Sequence, residues 1–390
     1  MSHRSCCFPF CGDSRLRDTG RACALVVCVL AMGACSSATA PPAPPDDGPR
    51  IMMRDAETGS FWNARGEAIS GRLLGGQLVP VASSHTAYWF AWASFWPETS
   101  IWGDADPGDM YSGIDIEGLE RWEIIPDETR DSIPPLEAPS GLYGEVQFVP
   151  SEAVNLDDDD IVLGLSLDGE ARAYPLQILI QHEIAMHDLA GHDVLITYCP
   201  LTASGMAFER GDDWFGNTGA VYNNNLLLYD RRTRSLWSQM GRLSINGERT
   251  RERLGMLPLY QGTWSAWFER YPETQVLSRD TGFGFRDYDA DDYRDRGYPT
   301  SEDIWFPQKP GLDHRYHPKA HVLGLIGATT VRAYPIEQLA TEFGATGVIN
   351  DSFEGQPILL IYDDQAGTAT LFSRHVDSRE LTFTIVTPQA

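Results

Sequence analysis

The chain has almost no lysine. Lys309 and Lys319 are the only two among 390 residues, so 28 of the 30 basic side chains are arginine. Against them stand 55 acidic side chains, for a formal net charge of −25. A nucleic-acid binder needs a basic face for phosphates, so that class of partner is excluded. Cysteine is scarce as well: after Cys35 only Cys199 follows. A disulfide framework in the folded part is therefore ruled out. No apolar run beyond residue 35 approaches the roughly 20 residues of a membrane span, and the tryptophan-rich residues 87–96 fall far short. With 42% hydrophobic and 11% aromatic residues, the chain can still bury a sizeable core, in one large domain or about two ordinary ones.

The N-terminus decides the expected compartment. Arg15, Arg17 and Arg21 precede the apolar residues 23–32, and Gly33-Ala34-Cys35 follow. A basic region, a short apolar stretch and small residues before a cut define a secretory signal. The small-small-Cys ending resembles a bacterial lipoprotein signal over residues 1–34, with cleavage before Cys35 and lipidation of its thiol. An ordinary secretory signal cut near Ala40 is the alternative. Residues 35–54 then read as the lipidated cysteine and a Pro-rich tether, with Pro41, Pro42, Pro44 and Pro45 in close succession. Acyl chains, at about 0.8 kcal/mol per buried methylene, make the membrane the expected partner and the extracytoplasmic cell envelope the expected location.

The chain also matches itself. Val162-Leu163-Gly164-Leu165 and Arg172-Ala173-Tyr174-Pro175 recur at an offset of 160 as Val322-Leu323-Gly324-Leu325 and Arg332-Ala333-Tyr334-Pro335. Asp188 is matched to Asp351, and Tyr198, Phe208 and Arg210 to Tyr362, Phe372 and Arg374. At an offset of 175, Asp55, Thr58, Ser60, Trp62 and Gly66 correspond to Asp230, Thr233, Ser235, Trp237 and Gly241. The same offset relates Trp89, Trp92, Pro97, Glu98 and Thr99 to Trp264, Trp267, Pro272, Glu273 and Thr274. Two interleaved sets imply repeat one over 55–210 and repeat two over 230–374.

Short apolar strands flank Asp168-Gly169, and Pro175 opens a helical stripe of Leu176, Leu179, Ile180, Glu183 and Ile184. Residues 194–198 read as a buried strand stopped by Pro200. Residues 226–229 and 235–239 read as a hairpin, and a short helix carries Trp264 and Trp267. The fold class expected is α+β and internally duplicated. Two similar mixed α/β halves, with short strands and few helices, form a pseudo-twofold unit. A plain two-domain arrangement is the alternative.

Residues present in both copies are expected to hold the fold, and polar residues present once are the functional candidates. Cys199 stands opposite Asp363, while His182, Glu183, Asn223, Asn225, Ser238 and Gln239 have no counterparts. His182-Glu183 followed by His187 is not a zinc-protease helix, which needs the second His four residues on. A looser site of His182, Glu183 and Cys199 for zinc or copper stays open, since all three side-chain types ligate those ions. So does Cys199 as a nucleophile, with His182 as base and Glu183 or Asp188 orienting it. Against both stands the frequent burial of free cysteine as a small hydrophobe. Asn223, Asn225, Ser238 and Gln239 supply amides and a hydroxyl suited to a neutral polar ligand, though Asn is equally a turn residue. The acidic runs 157–160 and 287–292 lack the Gly and distal Glu of a calcium loop and read as solvated.

Arg172-Ala173-Tyr174-Pro175-Leu176, His182-Glu183, Tyr198-Cys199-Pro200-Leu201 and the stretch 222–239 resemble the bacterial domain-of-unknown-function family 3179. Trp264, Pro272-Glu273-Thr274, Asp280-Thr281-Gly282, Phe306-Pro307 and Lys319 extend the likeness, which covers about residues 130–375. The family commonly shows Cys-Pro-Leu-Cys-Gly-Thr, or Thr at the second Cys; here Thr202, Ala203 and Ser204 fill the last three places, which removes a dithiol mechanism. The resemblance brings no established reaction. The leading expectation is a lipid-anchored envelope protein binding a small ligand near Cys199 and His182, in a pocket between the two halves. A Cys- or metal-dependent enzyme and a structural envelope scaffold are the alternatives.

Overall fold

The computed structural model describes residues 50–104, 141–142, 146–284, 286–290, 300–309 and 311–386, and the backbone of 125–126. The expected signal 1–34, Cys35 and most of the Pro-rich tether lie outside the described residues. Among those described, short β-strands dominate and four α-helices occur: α1 (Trp89–Phe95), α2 (Leu176–His182), α3 (Trp264–Arg270) and α4 (Ile336–Phe343). None is long and apolar enough to cross a membrane.

Two sheets organise the centre. In one, Ile161–Leu167 and Glu170–Pro175 form a hairpin whose turn residues Asp168 and Gly169 both take positive φ, as a two-residue turn requires. Tyr260–Thr263 joins its first strand antiparallel, with Tyr260 opposite Gly164, and Gln275–Leu277 joins its second parallel, with Gln275 opposite Arg172. In the other sheet, His321–Ile326 and Val331–Pro335 form the hairpin. Ser84–Tyr88 adds antiparallel, with His85 opposite Gly324, and Ser100–Ile101 adds parallel, with Ser100 opposite Arg332. Each sheet therefore takes its hairpin from one expected repeat and its flanking strands from the other. Residues 84–101 belong with 321–335, and 260–277 with 161–175.

Glycine makes this packing close. A Cβ on Gly164 would come within 2.3 Å of the Trp267 ring, and one on Gly324 within 2.0 Å of the Trp92 ring. Each indole sits on bare backbone and donates Nε1–H to a threonine hydroxyl at 3.1 Å: Trp92 to Thr99 and Trp267 to Thr274. A second shared device lies further out. Asp230 accepts from the Thr233 backbone at 2.6 Å and from Trp237 Nε1 at 2.9 Å; Asp55 accepts from Thr58 and Trp62 at the same two distances. Both carboxylates are fully buried, so these hydrogen bonds supply what water cannot.

After each Tyr-Pro pair a helix leads into an antiparallel sheet. Helix α2 ends sooner than its stripe implied. Glu183 takes φ +60 as a left-handed cap, and Ile184 opens the strand Ile184–Leu189. That strand pairs with His192–Cys199, which pairs with Ser204–Glu209. After α4, Thr346–Phe353, Gln356–Asp363 and Thr368–Ser373 pair in the same way. Cys199 closes its hairpin opposite Ser204, and Asp363 closes its own opposite Thr368. The register corrects one sequence match. His187 faces Val194 and Asp351 faces Ile358, so Asp351 stands in the place of His187 rather than Asp188. Tyrosine hydroxyls report the same shift: Tyr174 meets His187 Nε2 at 2.8 Å, and Tyr334 meets Asp351 Oδ2 at 2.8 Å.

Candidate functional site

The sequence pointed to Cys199, His182 and Glu183 as one constellation, but their side chains go to different partners. Cys199 is 2% exposed, and its Sγ lies 3.5 Å from the carbonyl oxygen of Asn224. Burial first, and the charge of Glu183 second, push its thiol up to about 11. A nucleophile or metal ligand needs the thiolate, so the pressure here runs the wrong way. His182, on the last turn of α2, is fully buried, with Nε2 2.6 Å from the Tyr288 hydroxyl and its ring edge-on to Phe283. The left-handed turn at Glu183 sends that carboxylate elsewhere, onto the Asn217 amide. Among the described residues, no three His, Cys, Asp or Glu side chains are gathered to hold an ion.

The four polar candidates are likewise committed. Asn225, Ser238 and Gln239 are fully buried. Asn225 Nδ2 donates to Gln239 Oε1 at 2.7 Å, and its Oδ1 accepts from the Met240 backbone at 3.0 Å. Gln239 Nε2 donates to Thr197 Oγ1 at 2.8 Å and to the Ser204 carbonyl at 3.1 Å, while Ser238 Oγ accepts from the Gly241 backbone. Thr202 accepts from Asn225 and lies 2.8 Å from the Ser204 hydroxyl. Such a satisfied network fixes a unique core rather than awaiting a ligand. Asn223 has the other use of asparagine. With Asn224 it forms the positive-φ turn between Phe215–Tyr222 and Asn225–Asp230. The two amides also bind the backbone of Lys309 and Phe306, each donating and accepting once.

A cavity lies elsewhere, between the two hairpin sheets. About 80 Å³ is lined by residues of both sheets, among them Thr86, Gly164, Tyr260, Gln261 and Leu323, and by Thr370. A neighbouring cavity of about 230 Å³ shares Ala64, Arg65 and Arg270 with it and adds Arg50, Asn63 and Glu269. Two of its arginines, Arg50 and Arg270, are held by Asp363, which is fully buried. Arg50 grips that carboxylate with two bonds of 2.7 and 2.5 Å, and Arg270 approaches it at 3.4 Å. Arg270 also lies over the Tyr260 ring at 5.1 Å. Burial pushes the Tyr260 hydroxyl up to about 12, so it is a neutral donor. The Thr370 hydroxyl on the wall of the smaller cavity has no partner. Sequence reasoning missed this site, although it had marked Asp363 as the odd counterpart of Cys199. The difference was read from the cysteine's side only, and the arginines that answer Asp363 are 93 and 313 residues away.

The family model described as "Protein of unknown function (DUF3179)" matches residues 15–99 and 130–389. The chain belongs to the DUF3179 family. No curated protein and no solved structure matches it. The match takes in the cavity walls and the buried amide network of this DUF3179 protein alike. Because the family description carries no reaction, any functional reading must rest on those groups.

Proposed function

We propose that this DUF3179 protein is a lipid-anchored envelope protein that binds a small polar ligand between two halves arising by internal duplication. The anchor rests on the arginines, apolar stretch and Gly33-Ala34-Cys35 of the N-terminus. Duplication is supported by the shared offsets and by the paired registers, which imply that each half combines segments from both repeats. The observation that carries ligand binding is the cavity at the seam, polar on several sides and holding an unpartnered Thr370 hydroxyl. Pockets between duplicated units are common ligand sites. Bound ion pairs already balance Arg50, Arg65 and Arg270, which favours a neutral or zwitterionic ligand over a bare anion there.

A thiol- or metal-dependent enzyme is less well supported, because Cys199 is buried and held protonated. Native mass spectrometry of the full chain, extracted from membranes in detergent, tests the binding reading. A small adduct is expected on the wild type and absent from Thr370→Phe, whose ring occupies the cavity. An adduct on neither protein, or equally on both, sinks the proposal and favours a scaffold.

A further inference from the structure

Among the described residues, the two most exposed large apolar side chains lie five positions apart on one loop. Leu74 is 69% and Val79 62% exposed. The loop leaves the strand Ala68–Ser70 and ends where Pro80 bridges to Phe372. It is not slack: the Gly75 amide donates to the Ala68 carbonyl at 2.9 Å, and that of Gly76 to Leu73 at 2.7 Å. A single exposed leucine on a surface needs no explanation. Here the molecule contains its own control.

Residues 247–255 form the same loop in the other copy, at an offset of 176. Thr250 donates to Gly247 as Leu74 does to Gly71, Arg251 to Ser244 as Gly75 does to Ala68, and Glu252 to Arg249 as Gly76 does to Leu73. The Ser235 hydroxyl accepts from the Arg249 backbone at 3.0 Å, and the Ser60 hydroxyl accepts from Leu73 at the same distance. Leu78 and Leu254 are buried alike beneath the two loops. Outside, the loops differ. Leu74, Gly75, Gly76 and Val79 face Thr250, Arg251, Glu252 and Gly255 in the match. The same backbone therefore closes with charges in contact with water, and the fold does not require Leu74 or Val79 to be apolar.

Charge and chain geometry say what the loop faces. Residues 68–97 contain no Asp or Glu, and Arg72 is their only Arg or Lys, in a chain with 55 acidic side chains. An anionic headgroup layer repels such a protein at large but accepts this stretch. Ile69, at the base of the loop, lines the 230 Å³ cavity together with Arg50, the first described residue. Pro80 and Val81, at the other end of the loop, line the smaller cavity. Arg50 stands 15 positions after Cys35, a span that reaches about 50 Å when fully extended. A lipid on Cys35 thus keeps this side of the molecule within reach of the bilayer. Two aliphatic side chains are too few to hold a protein there unaided, but with an anchor they set its orientation.

We propose that Leu74 and Val79 dip into the boundary between headgroups and acyl chains of a phospholipid bilayer, so that both cavities lie beside the membrane surface. The proposal rests on the lipid-anchor reading, and the test separates the two. The full chain is reconstituted in vesicles of phosphatidylethanolamine and phosphatidylglycerol, with photoreactive p-benzoylphenylalanine in place of Leu74, of Val79 or, as the control, of Thr250. On irradiation, lipid adducts are expected at the Leu74 and Val79 positions, several-fold more abundant than at the Thr250 position. The mass of the N-terminal peptide reports the anchor independently. A chain found without an acyl group is held on the same vesicles by an N-terminal histidine tag and a nickel-chelating lipid, so the loop is tested either way. Adducts to a second copy of the chain, lipid adducts equal at all three positions, or none at the two loop positions overturn the proposal.

Discussion

The hairpin that ends at Cys199 and the one that ends at Asp363 have the same register and opposite chemistry. Both residues close a strand pair three residues before a backbone contact to a central strand. The turn after Cys199 offers the Thr202 carbonyl to the Tyr88 amide at 2.9 Å; the turn after Asp363 offers the Ala366 carbonyl to Thr263 at 3.2 Å. Around Asp363 this scaffold holds two arginines, a tyrosine and a cavity. Around Cys199 it holds a protonated thiol beside a satisfied amide network. One frame thus carries a buried charge cluster beside a cavity at one end and close packing at the other, and the side chains at matching positions make the difference.

Removing the charge tests that contrast most severely. Asp363→Asn leaves Arg270, itself buried, without its counter-charge, and breaking such a pair costs about 3–5 kcal/mol. Cys199→Ala deletes one small, weakly bonded group, and a cost of about 1–2 kcal/mol is expected from lost burial. Urea unfolding of both variants measures the difference. Equal costs would mean that the Asp363 cluster contributes nothing beyond its volume, and the comparison between the two ends would collapse.

Much of this frame was legible. Hairpins around Asp168-Gly169, the Tyr-Pro helix starts and the twin Trp helices all follow from local pattern, and repetition at fixed offsets marked which residues hold the fold. Strand exchange was not legible. Periodicity says that 84–88 and 260–263 are strands, but not which hairpin each one joins. Burial of polar side chains was also hidden. Asn225 and Gln239 have the same composition signature whether they face a ligand or, as here, one another. The cavity escaped for a similar reason, since Arg50 and Asp363 meet from opposite ends of the chain.

A smaller effect separates His187 from Asp351, which hold matching places below their tyrosines. Burial pushes His187 down to about 4, against an ordinary 6.5. Above pH 6.5 the folded and unfolded chains are both neutral there, and the histidine's contribution is intact. As pH falls from 6.5 towards 4, the unfolded chain binds a proton that the folded chain refuses, and stability is lost. Between pH 7 and pH 5 that amounts to about 2 kcal/mol. His85, pushed down to about 3 by burial, adds a loss of its own, so the informative quantity is the difference between wild type and His187→Gln across that interval. A wild-type loss no larger than the variant's would show that His187 is not held neutral by the fold.

The smallest difference expected is also the sharpest test of equivalence between the two central sheets. Gly164→Ala and Gly324→Ala each drive a methyl group into an indole, that of Trp267 or Trp92, at contact distances no real Cβ tolerates. Overpacking of this kind costs about 1–3 kcal/mol. If the sheets are two copies of one design, the two costs should agree to within about 0.5 kcal/mol, the scatter of independent sites. Both indoles are anchored by the same 3.1 Å bond to threonine. Denaturation midpoints of the two single variants and the double variant decide it. A large disparity would place the likeness in the sequence offsets alone, because matched packing must resist the same intrusion equally.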